Sequence, residues 1–148
     1  MGRNLITQFN YFDTMARAQK GYARLLEPIC KKWDLTRNEL DILLFLLNNP
    51  GLDRAADIVS RRGIAKSHVS QSVGSLEEKG MLRCCMDPAD RRTVRLKLTE
   101  LSLPIAREGQ AAQKRFFDRI HQGLTGEELR LMRKLMQKVC DNIANQEE

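Results

Sequence analysis

Apolar positions along the chain recur with two different periods, and the places where the period changes mark out its elements. From Leu5 to Lys32, residues Phe9, Phe12, Ala16, Ala23, Leu26 and Ile29 fall three, four and seven apart, which predicts a helix with one apolar stripe. Phe9, Tyr11 and Phe12 crowd aromatic surface onto its first turns, more than a lone helix buries. Pro28 is expected to kink or weaken the helix near its end. After Trp33, Thr36 and Glu39 have the spacing of a capping box. They open a second helix that runs to Asn48, with Leu40, Leu43, Leu44 and Leu47 on its core face, and the following Asn-Pro-Gly stops it.

The central stretch carries two shorter helical patterns joined by a glycine turn. The first covers Arg54 to Arg62, with Ala55, Ile58 and Val59 inward. Gly63 supplies a turn where positive φ is cheap, and Ile64 plugs the angle between the helices. The second runs from Lys66 to Lys79 on a narrow stripe of Val69, Val73 and Leu76, and Gly80 ends it. Two strand-like runs follow, Met81 to Met86 and Thr93 to Leu98, around the turn sequence DPADRR. Alternation in the second run places Val94, Leu96 and Leu98 inward, with Arg95 and Lys97 outward. Helical periodicity then returns. Thr99 caps a long helix with Pro104 inside its first turns, continuing through Ile105, Ala112, Phe116, Phe117 and Ile120. A second capping box, Thr125 with Glu128, opens a last helix that reaches Asn145. Leu129, Met132, Met136, Val139 and Ile143 form its apolar stripe, and Leu131 and Leu135 widen it. Terminal helices that are apolar over so wide an arc point to contact with a second subunit.

The fold class is therefore mainly α with a small β-wing (α+β): a winged helix-turn-helix with a helical region drawn from both termini. The 148 residues are expected to form a single domain, 1–148, with the winged helix-turn-helix over 36–98 and the helical dimerisation region over 1–33 and 99–148.

The two halves of the central stretch divide into packing and chemistry. With Val69, Val73 and Leu76 turned inward, Ser67, His68, Ser70, Gln71 and Ser75 are left on the outer face of the fourth helix. Such donors and acceptors are what base edges in a major groove require, while Lys66 in the first turn suits a phosphate. A polar helix face is otherwise merely solvated, so the hairpin that follows decides the matter. Its turn carries Arg91 and Arg92 outward, where arginine can enter a narrow minor groove, and Asp90 is placed to steady the Arg92 guanidinium.

Charge supports a nucleic-acid partner because of where it sits. The net charge is +6, and Arg54 to Lys97 alone holds 10 Lys/Arg against 5 Asp/Glu. A winged-helix protein-interaction module whose basic patch meets an acidic partner is the rival reading. Composition excludes other classes. No apolar run approaches the ~20 residues of a membrane span, and the N-terminus lacks a signal-peptide pattern, so a cytoplasmic protein is expected. Cys30, Cys84, Cys85 and Cys140 form no CxxC pair, and His68 and His121 are the only histidines, so neither a metal site nor a cofactor is expected. Cys84 and Cys85, adjacent in a strand, would face opposite ways, with at least one buried. The nucleotide-binding and hydrolase signatures are absent, which argues against an enzyme.

The segment DPADRRTVRLKLTE resembles the wing signature of MarR-type winged-helix transcriptional regulators, and GIAKSHVSQSVGSLEEKGML is similar to that family's turn, recognition helix and closing Glu-Lys-Gly. The order of helices matches over nearly the whole chain. The resemblance implies an obligate homodimer on pseudo-palindromic double-stranded DNA, read by the helix from Lys66 and by Arg92 on the wing, with repression as the usual outcome. It also implies a small amphipathic or phenolic ligand in a cleft between the dimer and DNA-binding regions. Two departures stand out. Ala65 replaces a capping Ser or Thr, a loss of about 1 kcal/mol of helix-start stability, and Pro104 interrupts the entry to the long helix. The first helix also lacks the cysteine of the family's thiol-sensing branch near its start, and the scattered histidines do not suit its metal-sensing branch.

Overall fold

Local sequence signals set most of the element boundaries in the computed structural model, which describes residues 10–146. In chain order these form α1 (Tyr11–Trp33), α2 (Arg37–Asn48), α3 (Ala55–Arg62), α4 (Lys66–Glu78), strands β1 (Leu82–Met86) and β2 (Val94–Leu98), then α5 (Ser102–Ile120) and α6 (Gly126–Ala144). The expected earlier start of the first helix, with Leu5 and Phe9, lies outside the described residues. The caps are as the sequence predicts. Both halves of the Thr36–Glu39 and Thr125–Glu128 capping boxes are made. Gly63, at φ 63°, separates α3 from α4. Gly80, at φ 70°, closes α4, with the Met81 amide returning to the Leu76 carbonyl at 2.9 Å. Pro28 does not interrupt α1, which continues to Trp33 and stops at Asp34 in the left-handed conformation (φ 52°). Pro104 is accommodated because it stands in the first turn of α5, where no intrahelical partner exists for a backbone N–H. The start of α5 is capped by Thr99, whose hydroxyl accepts from the Ser102 amide.

The core is organised around α2. The sequence stripe predicts one buried face; instead every residue from Glu39 to Phe45 except Asp41 is buried, while Leu47 is only half-buried. A helix apolar on nearly all sides belongs at the centre of its layer. Around it lie Leu26 and Ile29 of α1, Ile58 of α3, Val69 and Leu76 of α4, Leu82 and Leu96 of the strands, and Ile105 and Ala106 of α5. Gly109 of α5 shows how close this packing is: a Cβ added there would come within 2.8 Å of a Leu44 methyl. Beside it a polar chain joins three helices, from Asn48 to Gln113 (2.8 Å) and from Gln113 to the Tyr22 hydroxyl (2.5 Å).

Strands β1 and β2 pair antiparallel, with Leu82 opposite Leu98, Cys84 opposite Leu96 and Met86 opposite Val94 on one face. Leu96 is buried and Leu98 half-buried as expected, but Val94 is 45% exposed. It pairs with Met86, 67% exposed, at the turn end of the ribbon, where it borders an open groove instead of the closed core. Cys84 and Cys85 are both half-buried, so neither is enclosed as expected, because a two-stranded ribbon covers only part of each face.

From Arg115 onward the chain forms a second compact unit. Within it Phe116 and Phe117 meet edge to face and Phe117 stacks on His121. No residue of α6 is buried. Among the described residues no helix is long and apolar enough to cross a membrane.

One buried charge fastens the first unit. Glu39, 2% exposed, accepts from the Thr36 amide (2.8 Å), from Lys79 Nζ (3.1 Å) and from the Ser75 hydroxyl. Burial alone would raise its pKa, but these donors together outweigh it and hold the carboxyl below the ordinary value. A lowered folded pKa means that Glu39 stabilises the fold at neutral pH and that this contribution is lost as pH falls through the folded value. Glu39→Gln is expected to cost about 2–4 kcal/mol at pH 7 and to flatten the acid side of the stability curve below about pH 4.5. Urea unfolding followed by Trp33 fluorescence at several pH values tests this; an unchanged acid slope counts against it.

Candidate nucleic-acid interface

Helix α4 presents two unlike faces. Val69 and Leu76 are buried and Val73 half-buried, which fixes the helix against the core. Lys66, Ser67, His68, Ser70 and Gln71 are all exposed along the opposite edge. Ser75 departs from the expected pattern. It is half-buried and its hydroxyl donates to the Glu39 carboxylate, because one turn before the helix end the serine edge comes round to face α2. Ser72, which periodicity left unassigned, is buried. As the sequence indicates, Ala65 offers no side-chain cap at the start of the helix.

The wing is shaped by its aspartates. Asp90 Oδ1 accepts from the Arg92 amide at 3.0 Å and Oδ2 from the Thr93 hydroxyl at 3.0 Å. The expectation that Asp90 steadies the Arg92 guanidinium is therefore corrected: it folds the turn through the backbone, as a carboxylate two residues ahead of an amide readily does. Arg91 and Arg92 remain exposed at the tip. The guanidinium that is gripped belongs to Arg95. Strand alternation places it in solvent, yet it is half-buried, 2.7 Å from Asp53 and 2.9 Å from Asp87. Asp87 in turn accepts from the Ala89 amide (2.8 Å), and that bond together with Arg95 holds its carboxyl below the usual range. The Asp53 carbonyl also accepts from the Leu96 amide at 2.7 Å, adding the loop before α3 to the free edge of β2. Alternation could not reveal this clamp, since its acids lie 42 and 8 residues away in sequence.

The helix and the wing stand on either side of one groove. A cavity of about 420 Å³ is lined by Ala55 and Val59 of α3, Val69 and Ser70 of α4, and Cys84 and Val94 of the wing. The Cys84 thiol there is pushed up by burial and by the neighbouring Glu77, which leaves it little nucleophilic character. Along the other side of α4 a polar hollow of about 340 Å³ brings Asn38 of α2 beside His68 and Gln71. Asn38 is a residue that sequence reasoning missed, because nothing local marks the start of α2 as lying against α4.

A model of the MarR family matches residues 33–93, which contain α2, α3, α4, β1 and the wing turn. The chain is similar to MarR-family proteins over this winged helix-turn-helix segment. Across 133 residues it is 27% identical to the HTH-type transcriptional repressor IacR of Pseudomonas putida, covering 89% of this chain and 78% of that protein. A MarR-family regulator from Silicibacter pomeroyi superposes with a TM-score of 0.76 at 22% identity, over 88% of this chain and 87% of that one. BpsR of Bordetella bronchiseptica, whose DNA binding is regulated by 6-hydroxynicotinic acid, superposes with a TM-score of 0.66 at 22% identity, over 88% and 93% of the two chains. The MarR-type winged-helix fold expected from the sequence is thus the fold observed.

In this wing, the Arg95 clamp and the Asp90 turn have separable effects. Arg95→Ala is expected to raise amide exchange several-fold throughout Arg83–Lys97, whereas Asp90→Ala raises it only around Arg92 and Thr93. Hydrogen–deuterium exchange resolves the two; uniform exchange in both variants would remove the distinction.

Proposed function

We propose that the chain is a homodimeric, sequence-specific, ligand-responsive regulator of transcription, a repressor acting on pseudo-palindromic duplex DNA. The observation that carries the reading is the pairing, across one groove, of an exposed polar helix edge with an arginine-tipped wing. Helix α4 enters the major groove, where Gln71 and the exposed Ser67, His68 and Ser70 reach base edges. Lys66 meets a phosphate beside the uncapped helix start, and Asn38 joins the same surface. Arg91 and Arg92 reach the flanking minor groove on a tip that Asp90 folds. Ser75 serves this surface by holding the end of α4 in place. Residues 36–98 form the reading head.

The dimerisation region comprises 1–33 and 99–148. Its support is α6, which exposes Leu131, Leu135, Met136 and Ile143 along 19 residues without burying any of them. A soluble chain does not leave such a stripe open, and a second copy is its natural cover. Two reading helices then sit about 34 Å apart, one turn of duplex. The ligand is a small amphipathic or phenolic molecule, as BpsR's response to 6-hydroxynicotinic acid suggests. A cavity of about 490 Å³ suits it, with Tyr22, Arg37 and Gln113 as polar groups and Leu44 and Ile64 as apolar ones.

Selection of bound duplexes from a random pool should return a two-fold-symmetric consensus, with affinity falling steeply as salt rises. A salt-sensitive protein that selects no consensus would instead be meeting an acidic protein partner. On the selected duplex, Arg92→Ala should weaken binding about tenfold or more, while Gln71→Ala should relax preference at one base pair by about 1–3 kcal/mol. Equal losses on specific and scrambled duplexes from both variants would contradict this division.

The dimer has its own test. Leu131→Lys combined with Leu135→Lys should convert the sedimenting species to a monomer and abolish binding to the symmetric site. A double variant that stays dimeric would place the interface elsewhere.

A further inference from the structure

The outer face of the wing carries three cations, and only one of them is neutralised. The register places Arg83 directly opposite Lys97 and Cys85 opposite Arg95, so these four share the face that points away from α3 and α4. Arg95 is gripped by Asp53 and Asp87. Arg83 and Lys97 are exposed, and among the described residues neither makes an ion pair. Like charges directly opposite on a ladder are destabilising. The strands thus hold two uncompensated cations against their mutual repulsion, which an acid at either position would turn into attraction.

The pair opens onto a hollow of its own. A cavity of about 430 Å³ lies at the base of the wing, where β2 leads into α5, with Arg83, Lys97, Leu98, Glu100 and Leu101 among its lining residues. Leu101 is 51% exposed, a large apolar side chain on the same rim. A duplex held by the wing tip does not come this far. The Arg83–Lys97 rung lies three residue steps before Met86–Val94, about 10 Å along the ribbon at ~3.3 Å per residue, and the turn extends beyond that. A minor groove is about 7.5 Å deep, so a tip seated in it leaves this rung outside the phosphate rim. A free dianion fits the hollow poorly, because the Glu100 carboxylate shares it. A peptide segment can set its carboxylates over Arg83 and Lys97 and an apolar side chain on Leu101, clear of Glu100.

We propose that the Arg83–Lys97 face is a docking surface for a protein partner that presents an acidic segment with an apolar residue between its carboxylates. The surface is separate from the reading head: the tip arginines meet DNA while the base of the same ribbon meets protein, so both can be held at once. Only the exclusion of the duplex rests on the wing placement proposed above. The unneutralised pair and its hollow stand without it.

The probe is a fluorescein-labelled peptide, DEELLEED, with KKKLLKKK as its charge-reversed control. The full chain is expected to bind the acidic peptide, less tightly as salt rises, and not the basic one. Arg83→Ala combined with Lys97→Ala should weaken the peptide about tenfold, the size of two exposed charge pairs. The same variant should leave affinity for a duplex selected by the wild-type protein, and its salt dependence, unchanged. Arg91→Ala combined with Arg92→Ala should do the reverse. Arg83→Glu gives Lys97 an acid across the ladder, so it should abolish peptide binding while slowing amide exchange over Arg83–Lys97 several-fold, which separates lost binding from a lost fold. A double alanine variant that binds the peptide as tightly as the wild type would overturn the docking surface, and so would a wild-type chain that does not bind it. A fall of about two in the salt slope on the duplex would overturn it in favour of two phosphate contacts. Failure of the wild-type protein to select any duplex would overturn the DNA-reading function instead, and the peptide measurements would still decide this one.

Discussion

A carboxylate enclosed in the first turn of the central helix α2 is the constraint on which the arrangement of this winged helix depends. An unpaired charge at Glu39 would cost several kcal/mol, so its neighbours must supply donors. They come from three places: the backbone at the start of α2, the hydroxyl of Ser75 and the ammonium of Lys79. Because the last two belong to the end of α4, satisfying the charge also fixes where that helix ends. Apolar contacts alone would not do so. Val69 and Leu76 define which face of α4 is buried, but such contacts are non-directional and permit rotation and sliding by fractions of a turn. A hydrogen-bonded ion pair does not.

The same logic separates the two ends of α4. Its start has a glycine corner, an uncapped Ala65 and four exposed polar residues among its first five positions after the cap, with Val69 as the anchor. Its end has the Lys79 pin and a closed glycine cap. A helix of 13 residues is marginal in isolation, so its order follows the distribution of these ties. The end that carries the exposed polar edge is the less restrained one, and the end that sets direction is fixed. The wing repeats the scheme: Arg95 is clamped by Asp53 and Asp87 at its base while Arg91 and Arg92 stay free at the tip.

What was legible in the sequence follows from the range over which each effect acts. Caps and turns are decided within four residues, so Thr36, Gly63, Gly80 and Thr125 could be read directly. The exposed edge from Lys66 to Gln71 was legible too, because helical periodicity fixes it once Val69 is inward. Interactions between distant segments were not. Arg95 sits at an outward strand position and only the fold brings Asp53 to it. Ser75 looked like one more polar residue on the outer edge until α2 was found to supply a buried acid. The burial of Ile42 and Phe45 escaped the stripe because a central helix has no outer face for the pattern to display. At Asp90 the sequence identified the right residue but the wrong partner: an amide two residues on is always within reach, whereas a flexible guanidinium must give up rotamer freedom to arrive.

The exposed stripe on α6 extends the argument from one chain to two. Single surface leucines are ordinary, but Leu131, Leu135, Met136, Val139 and Ile143 lie on successive turns of a helix with no buried residue. The capping box at Thr125 and Glu128 shows that the helix is specified locally. It is not a segment left over by a core that ran out of partners. In the dimer proposed above, a helix specified in that way, with an apolar stripe that its own unit does not cover, has its stability tied to association. A reading head that contributes one helix and one wing reaches only a few base pairs, and each correct pair is worth about 1–3 kcal/mol of discrimination. Doubling the head on a symmetric site doubles that discrimination without any new chemistry. In the proposed dimer the open face of α6 and the short reach of α4 have one explanation: each chain would supply half of a site reader and half of the interface that completes it.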